Sequence, residues 1–229
     1  MDIVRVLLES NAIEINQPKK DGATPLFIAC QIGHLDIFRV LLESNAIEIN
    51  QPNNNGATPL YLACQNGHLD IVRVLLESTA IQINQPEEDG VTPLCIACEN
   101  GHLDIVRVLL ESNAIEINQP NKNGATPLFM ACQNGHLDIV RVLLESNAIQ
   151  LNDSMNNGAT PLIIATYLGQ SSIVQALLSN DNIDLSRTFE DKTALQYSES
   201  HVRVASWSFL DDQINEEGRL ACQELFSSL

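Results

Sequence analysis

Histidine and cysteine, the residues best suited to metal binding and redox chemistry, recur at equal intervals along this chain. His34, His68, His102 and His136 lie 34 residues apart, and so do Cys30, Cys64, Cys98 and Cys132. Such spacing places one residue of each type in every copy of a repeated unit. Ligand nitrogens must lie within about 2.1 Å of a shared zinc ion, whereas packed helices stand about 8–10 Å apart. We therefore expect no metal site, and we expect each histidine ring to order the start of a helix.

The cysteines allow a second kind of chemistry, because Cys95 and Cys98 form a C-x-x-C pair. Zinc sites and thiol exchangers use such pairs, but zinc needs a second pair and a thioredoxin-like exchanger needs a preceding strand. The sequence provides neither. A disulfide between successive copies would need Cα atoms within about 7 Å, which is closer than the spacing of packed helices allows without distortion. We expect small buried thiols in a reducing compartment, and no cofactor.

No arrangement typical of an active site appears elsewhere in the sequence. The glycines stand alone, so no glycine-rich phosphate loop is present. Asp70, Arg73 and Glu77 are three and four residues apart, which predicts an exposed stripe of weak ion pairs on a helix. The acidic pairs 211–212 and 216–217 are interpreted as a solvated edge. We expect no catalytic residue and no enzymatic activity.

The element that positions all of these residues is a repeat of 34 residues. The segment Asn55–Glu88 matches the segment Asn123–Asn156 at 26 of 34 positions. The phrase Gly-X-Thr-Pro-Leu begins at the five glycines Gly22, Gly56, Gly90, Gly124 and Gly158. A period between about 20 and 50 residues indicates a stacked array, in which each unit covers the apolar surface of its neighbours.

One unit reads as a turn, two helices and a connection. Thr58 is placed to cap a helix that begins at Pro59 and ends near Asn66. A second helix is predicted from Leu69 to Ser78, with apolar residues over so wide an arc that neighbours must cover it. Ile81 and Ile83 then alternate with polar residues, which predicts a short extended piece before Pro86.

These residues resemble the ankyrin repeat. The resemblance is carried by Asn55 to Leu60, Ala63, Gly67-His68, Ile71-Val72, Leu75-Leu76 and Asn84, and by their counterparts over residues 1 to 200. The histidine that usually follows Thr-Pro-Leu is absent, since Phe27, Tyr61, Cys95, Phe129 and Ile163 take its place. The resemblance implies an all-α, ankyrin-type helical solenoid with β-turn or hairpin tips. It implies about five full repeats, a partial N-terminal repeat and a helical C-terminal cap.

We predict four segments along the chain. Residues 1–20 hold only the second helix of a repeat, and residues 21–156 hold four nearly identical repeats. Residues 157–190 form a divergent fifth repeat. Residues 191–229 form a degenerate repeat and a cap of two helices, one around Trp207 and Ile214 and one after Gly218, although Val202 and Val204 also fit an extended segment. The start reads as truncated.

The composition restricts the classes of partner. With 12 basic and 29 acidic residues the net charge is −17, which disfavours nucleic acid and anionic membrane surfaces because both require clustered Lys and Arg. No apolar run approaches the roughly 18 residues of a membrane helix. We expect an intracellular, cytoplasmic monomer. Ile3, Val4, Leu7 and Leu8 lack a covering helix, which predicts weak end-to-end self-association.

Proteins of the resembled family usually meet partners along a concave strip of turn tips and first-helix ends, and this implies a set of binding positions here. The set comprises Lys20, Asp21, Gln31, Asn54, Asn55, Tyr61, Gln65, Asn66, Glu88, Asp89, Glu99, Asn100, Lys122, Asn123, Phe129, Gln133, Asn134 and Tyr167. Copies differ most at the tips, which fits either recognition or drift. Beside the strip, Tyr61, Phe27 and Phe129 are either partner anchors or packing between layers.

Two functions remain open from the sequence. The first is a non-catalytic scaffold that binds an unidentified protein partner along the strip. The second is a regulatory or targeting arm of a larger enzyme or microbial effector, whose catalytic part lies outside this chain.

Overall fold

The computed structural model describes residues 14–199 and 213–228, which form two compact units divided after Glu116. The first unit contains three helix pairs. They are α1 (Pro25–Ile32) with α2 (Leu35–Leu42), α3 (Pro59–Gln65) with α4 (Leu69–Leu76), and α5 (Pro93–Glu99) with α6 (Leu103–Leu110). Within this unit α3 packs between α1 and α5, and α4 packs between α2 and α6. The predicted repetition of helix pairs is confirmed.

The second unit continues the pattern and then changes it. Its elements are α7 (Pro127–Gln133), α8 (Leu137–Leu144), α9 (Pro161–Tyr167), α10 (Ser171–Leu178), β1 (Thr188–Phe189), β2 (Lys192–Thr193), α11 (Ala194–Glu199) and α12 (Glu216–Ser227). The two strands pair antiparallel as a hairpin. Its turn residues Glu190 and Asp191 both have positive φ, of 48° and 61°, as a two-residue turn between right-twisted strands requires.

Each first helix begins with the same cap. In α3 the Thr58 hydroxyl accepts a hydrogen bond from the Tyr61 backbone N–H at 3.1 Å, and Pro59 occupies the first helical position. The corresponding threonines of α1, α5, α7 and α9 make the same bond. After α3 the chain turns at Gly67, whose φ is +77°. The predicted start is confirmed, and the helix ends one residue before the predicted end.

Replacing Thr58 by valine is expected to destabilise the fold by about 1–2 kcal/mol. Thr58 is buried, so valine preserves the shape of the side chain but leaves the Tyr61 N–H without its acceptor. The free energy of unfolding in urea measures this loss. Thr58→Ser retains the hydroxyl and should recover most of it; equal losses in both variants would contradict a capping role.

Each second helix is amphipathic. In α4 the residues Ile71, Val72 and Leu75 are almost completely buried, while Asp70 and Arg73 are exposed. Leu75 lies four residues after Ile71 and three after Val72, which places the three side chains on one face of the helix. The wide apolar arc expected from the sequence thus has a fully buried centre. Its edge, which includes Leu76, is only partly buried.

The connection that follows each second helix differs from the predicted extended piece. The chain makes tight turns at residues 79–80 and 83–84, and these turns are held by an asparagine of the preceding repeat. Asn50 Nδ2 donates to the Ala80 carbonyl at 2.8 Å, and Asn50 Oδ1 accepts from the Gln82 N–H at 3.0 Å. Asn16, Asn84, Asn118 and Asn152 make the equivalent pair of bonds. One side chain thus orders the connection of the next repeat.

Asn50→Ala is expected to reduce the free energy of unfolding by about 1–2 kcal/mol. The change removes two hydrogen bonds and leaves the Ala80 carbonyl and the Gln82 N–H without protein partners. Urea unfolding measures the loss. Asn50→Asp retains an acceptor for Gln82 but no donor for Ala80, so an intermediate loss is expected; full stability in Asn50→Ala would contradict the bridging role.

The C-terminal end of the second unit is formed by α11 and α12. Helix α11 packs on α9, and α12 packs on α10 and α11, as the second helix of a pair does. Gly218, Arg219 and Cys222 form the buried face of α12. The Arg219 guanidinium donates through Nη2 to the Tyr197 carbonyl at 2.7 Å. A charged residue thus lies in this face with a specific backbone acceptor.

The sequence predicted the start of this last helix incorrectly. Gly218 was expected to separate two helices, but it lies in the first turn of α12, where its N–H donates to the Asn215 side chain at 3.1 Å. A Cβ on Gly218 would overlap the Gly169 carbonyl oxygen. Glycine here allows two backbones to touch. The predicted helix around Trp207 and the alternative strand at Val202 and Val204 lie outside the described residues, as does the apolar end at Ile3 to Leu8.

Candidate functional site

The regularly spaced histidines join consecutive repeats. His68 Nε2 lies 3.1 Å from the Gln31 carbonyl oxygen, and His102 Nε2 lies 3.0 Å from the Gln65 carbonyl oxygen. Neither ring caps its own helix, so the expectation that the rings order helix starts was wrong in its geometry. A Cβ on Gly33 would come within 2.5 Å of the His68 ring. Glycine and histidine therefore form a matched contact between neighbouring repeats.

The cysteines are inert core residues. None of the six cysteines forms a disulfide, and all are buried, including both residues of the C-x-x-C pair. Burial raises the pKa of Cys95 to about 12 and the pKa of Cys222 to about 11. Burial likewise raises the pKa values of Cys30, Cys64 and Cys132 far above the ordinary range for thiols. Thiolates are the reactive form, so these residues are protected from thiol chemistry in the folded chain.

The charged residues form no metal-binding cluster in residues 14–199 and 213–228, where no three His, Cys, Asp or Glu side chains come together. The predicted stripe of ion pairs on the second helices is represented by Arg141 and Asp138, whose charged atoms lie 3.9 Å apart. Both side chains are largely exposed. A pair of this kind contributes between 0 and about 1 kcal/mol, so the stripe adds little to stability.

In each turn tip one side chain accepts hydrogen bonds from the backbone, and other side chains of the tip face solvent. Asn53 Oδ1 accepts from the Asn55 and Ala57 N–H groups, at 3.0 and 2.9 Å. At the next tip the Glu87 carboxylate replaces the asparagine and accepts from the Asp89 and Val91 N–H groups. Each tip therefore has a fixed backbone whatever residues occupy its exposed positions.

Successive tips of the first unit are also bonded to each other. The Asn54 N–H donates to the Asp21 carbonyl at 2.9 Å, and the Glu88 N–H donates to the Asn55 carbonyl at 2.7 Å. Asn54 Nδ2 donates to the Lys20 carbonyl at 2.9 Å. Asn54, predicted as a partner-binding residue, therefore uses its side chain to connect two tips. The backbone of three consecutive tips forms one linked surface.

A groove of about 300 Å³ lies in the first unit between these tips and the first helices. Its lining includes Lys19, Asp21, Phe27, Gln31, Asn53, Asn55, Tyr61, Gln65 and Glu87. Five of these, Asp21, Gln31, Asn55, Tyr61 and Gln65, were predicted from the sequence. The structure thus brings together residues from three different tips and two first helices.

The sequence missed Lys19, Asn53 and Glu87 as groove residues, whereas Phe27 was expected as an aromatic residue beside the strip. The repeat period could have identified two of them, because Asn53 and Glu87 are 34 residues apart and occupy equivalent positions. Equivalent positions of the repeat line the same side of a unit. Phe27 and Tyr61 are related in the same way.

Most of the predicted positions, in the groove and outside it, are at the surface. The exposed or half-buried ones are Lys20, Asp21, Gln31, Asn54, Asn55, Gln65, Asn66, Glu88, Asp89, Glu99, Asn100, Lys122, Asn123, Gln133 and Asn134. The three aromatic positions differ. Tyr61 is 8% exposed, Phe129 is 1% exposed and Tyr167 is not exposed. Phe129 and Tyr167 are therefore core residues, and the expectation that they lie on a binding strip was wrong.

Tyr167 is buried because the C-terminal elements cover it. Its ring meets the Tyr197 ring edge-on with centroids 6.0 Å apart, and the Arg219 guanidinium lies 5.8 Å from its centroid. The neighbouring Leu168 carbonyl accepts a hydrogen bond from the Asn215 N–H at 2.9 Å. The position that is at least partly exposed in the earlier repeats is therefore covered in this repeat by the chain's own C-terminal elements.

Comparison with known families supports the repeat reading. A family model described as ankyrin repeats (three copies) matches residues 1–87, 46–121, 81–154 and 113–189. No curated protein matches the chain. Among the described helices, none combines the length and apolar character needed to cross a membrane.

Proposed function

The chain belongs to the ankyrin repeat family, and on that premise we propose that it is a non-catalytic scaffold whose first unit binds a protein partner. Ankyrin repeats are generally protein–protein interaction modules. The proposed surface consists of the groove and the exposed tip residues around it. We call this surface the tip groove and define it by Lys19, Asp21, Gln31, Tyr61, Gln65, Glu87 and Asp89.

The observation that carries this proposal is the separation of scaffold and surface in the first unit. The histidine and asparagine contacts between repeats recur from one copy to the next, and so do the threonine caps that begin the first helices. The exposed residues of the tips differ, with Lys20-Asp21, Asn54-Asn55 and Glu88-Asp89 at equivalent positions. Variation at an exposed edge over a constant frame is what a recognition surface requires.

The experiment is an affinity purification with matched variants of the full chain. Gln31→Ala, Gln65→Ala and Asp89→Ala are combined in one variant, because these side chains are not used in the contacts between repeats. The control combines Arg73→Ala, Glu77→Ala and Glu111→Ala on the second helices and their ends. Partners specific to the tip groove should fall at least about tenfold with the first variant only.

Stability provides the second readout of this experiment. All six positions are at least partly exposed, so each variant should change the free energy of unfolding by no more than about 0.5 kcal/mol per substitution. A partner that is retained by the tip-groove variant and lost by the second-helix variant would overturn the proposal.

A further inference from the structure

Tyr61 presents an unused polar group to the tip groove. As a whole residue Tyr61 is 8% exposed, and it lines the groove. Its backbone N–H is capped by Thr58, but its hydroxyl has no hydrogen-bond partner among residues 14–199 and 213–228. The hydroxyl oxygen remains accessible to water in the free chain, and a partner that excludes this water without replacing its hydrogen bond incurs a free-energy cost. A bound segment must therefore offer it a polar partner.

Carboxylates surround this hydroxyl on the side of the third tip. Glu87 lines the groove itself, and Asp89 is exposed on the same tip. Burial, followed by the charges of Glu87, Glu99 and Asp89, raises the pKa of Tyr61 well above the ordinary tyrosine value. Glu99 is half-buried, and burial raises the pKa of its carboxyl. This end of the groove is therefore negative and partly desolvated.

The opposite end of the groove carries positive charge. Lys19 lines it, and Lys20 stands beside it on the first tip, although Asp21 reduces the local charge. First helices pack at about 8–10 Å, so the first and third tips are separated by about 18 Å. An extended chain covers that distance in about five or six residues. The groove thus has a polarity along its length.

Resting on the proposed function, we propose that the partner presents an extended peptide segment with opposite polarity. A lysine or arginine of the segment lies against Tyr61, Asp89 and Glu99. An acidic residue about five or six positions away faces Lys19 and Lys20. An ammonium or guanidinium group has donors for both the Tyr61 oxygen and the carboxylates.

Other occupants fit the groove less well. An apolar side chain at Tyr61 would leave the hydroxyl unpaired and the carboxylates desolvated. A uniformly acidic segment would be repelled by the carboxylates of the third tip and by the net charge of −17. The segment with a basic residue at one end and an acidic residue at the other satisfies both ends.

The test begins with random 12-residue peptides displayed on phage and selected on the full chain. Peptides are retained if the Gln31→Ala and Gln65→Ala variant fails to bind them. We expect the retained peptides to contain a lysine or arginine with an acidic residue about five or six positions away. One peptide is then synthesised, and its dissociation constant is measured by isothermal titration calorimetry.

Isosteric neutralisation separates charge from shape. Asp89→Asn with Glu99→Gln should weaken binding of this peptide about tenfold and reduce its dependence on salt. The control, Glu77→Gln with Glu111→Gln, should change affinity by less than about twofold. Tyr61→Phe removes only the hydroxyl and should weaken binding about fivefold. Lys19→Gln with Lys20→Gln should weaken binding of the original peptide. The same change should have a smaller effect on a peptide whose acidic residue is replaced by glutamine.

The outcomes distinguish the two proposals. Retained peptides without a basic residue, or an affinity unchanged by Asp89→Asn with Glu99→Gln, would overturn the charge assignment and leave the proposed function intact. A selection in which no peptide depends on Gln31 and Gln65 would contradict the proposed function itself. A charge-reversal pair provides a further outcome. In it, the peptide carries glutamate in place of its basic residue, and the chain carries Asp89→Lys with Glu99→Lys. Restored binding between these two would support both proposals.

Discussion

Gly218→Ala is expected to destabilise the docking of α12 by about 2–3 kcal/mol, although alanine favours helices over glycine by about 1 kcal/mol. The added Cβ would overlap the Gly169 carbonyl oxygen, and this oxygen belongs to the backbone and cannot rotate aside, so the helix must move away. The opposing signs of propensity and contact make the result diagnostic.

The exposure of one thiol measures this movement. Cys222 is buried on α12 with a raised pKa, so the folded chain should react slowly with a thiol-specific reagent such as DTNB. In Gly218→Ala one thiol, identified by mass spectrometry as Cys222, should react first and at least about tenfold faster.

The control for this prediction is Gly135→Ala. Gly135 has φ of +78°, and an added Cβ would stand 3.3 Å from the flexible Gln170 side chain. Backbone strain of about 1–2 kcal/mol is expected there, without faster reaction of Cys222. A Gly218→Ala variant as stable as the parent chain, with an unreactive Cys222, would show that the two backbones do not touch.

Leu75→Ala is expected to reduce the free energy of unfolding by about 3–4 kcal/mol. Leu75 is 0% exposed on the buried face of α4. Its truncation removes apolar contacts and leaves a cavity, because short helices packed on both sides have little freedom to collapse. The loss is measured by urea unfolding of the full chain.

The adjacent residue provides the matched control. Leu76 is only half-buried and borders an open cleft near Ile81 and Val108. Leu76→Ala should therefore cost about 1 kcal/mol. Equal losses at Leu75 and Leu76 would contradict the orientation of α4 described here.

The sequence predicted the helices well because their signals are local. Thr58 and Pro59 specify the start of a helix, and Gly67 specifies the turn after it, through backbone preferences that do not depend on the rest of the chain. The connection after each second helix was predicted poorly. Its alternating Ile81 and Ile83 suggest a strand, but its geometry is fixed by Asn50 from another repeat, and such a contact cannot be read from local sequence.

The candidate surface was predicted only in part, because some of its features follow from the repeat pattern and others depend on distant contacts. Tip positions such as Asp21 and Asn55 are exposed in every copy, so the repeat pattern identifies them. The burial of Tyr167 depends on Tyr197 and Arg219, which lie 30 and more residues further along the chain in a segment without the repeat pattern. No local signal indicates that cover. The same holds for Gly218, whose role depends on Gly169.

The histidine contacts explain how the surface can vary while the frame stays constant. His68 and His102 reach carbonyl oxygens of the preceding repeat, and the matching glycines leave room for the rings. The side chains of Gln31 and Gln65 are not needed for these bonds, because the histidine rings meet the backbone carbonyl oxygens of these residues. They are therefore available for a partner, and their substitution should alter binding without altering the stacking of repeats.

Hydrogen–deuterium exchange of the full chain, measured with and without a peptide retained by the selection, locates the binding surface. We predict slower exchange at the tips around residues 19–23, 53–57 and 87–91 and at the ends of α1 and α3. We predict unchanged exchange in α2, α4 and α6. Protection confined to the second helices would contradict the assignment of the tip groove as the binding surface.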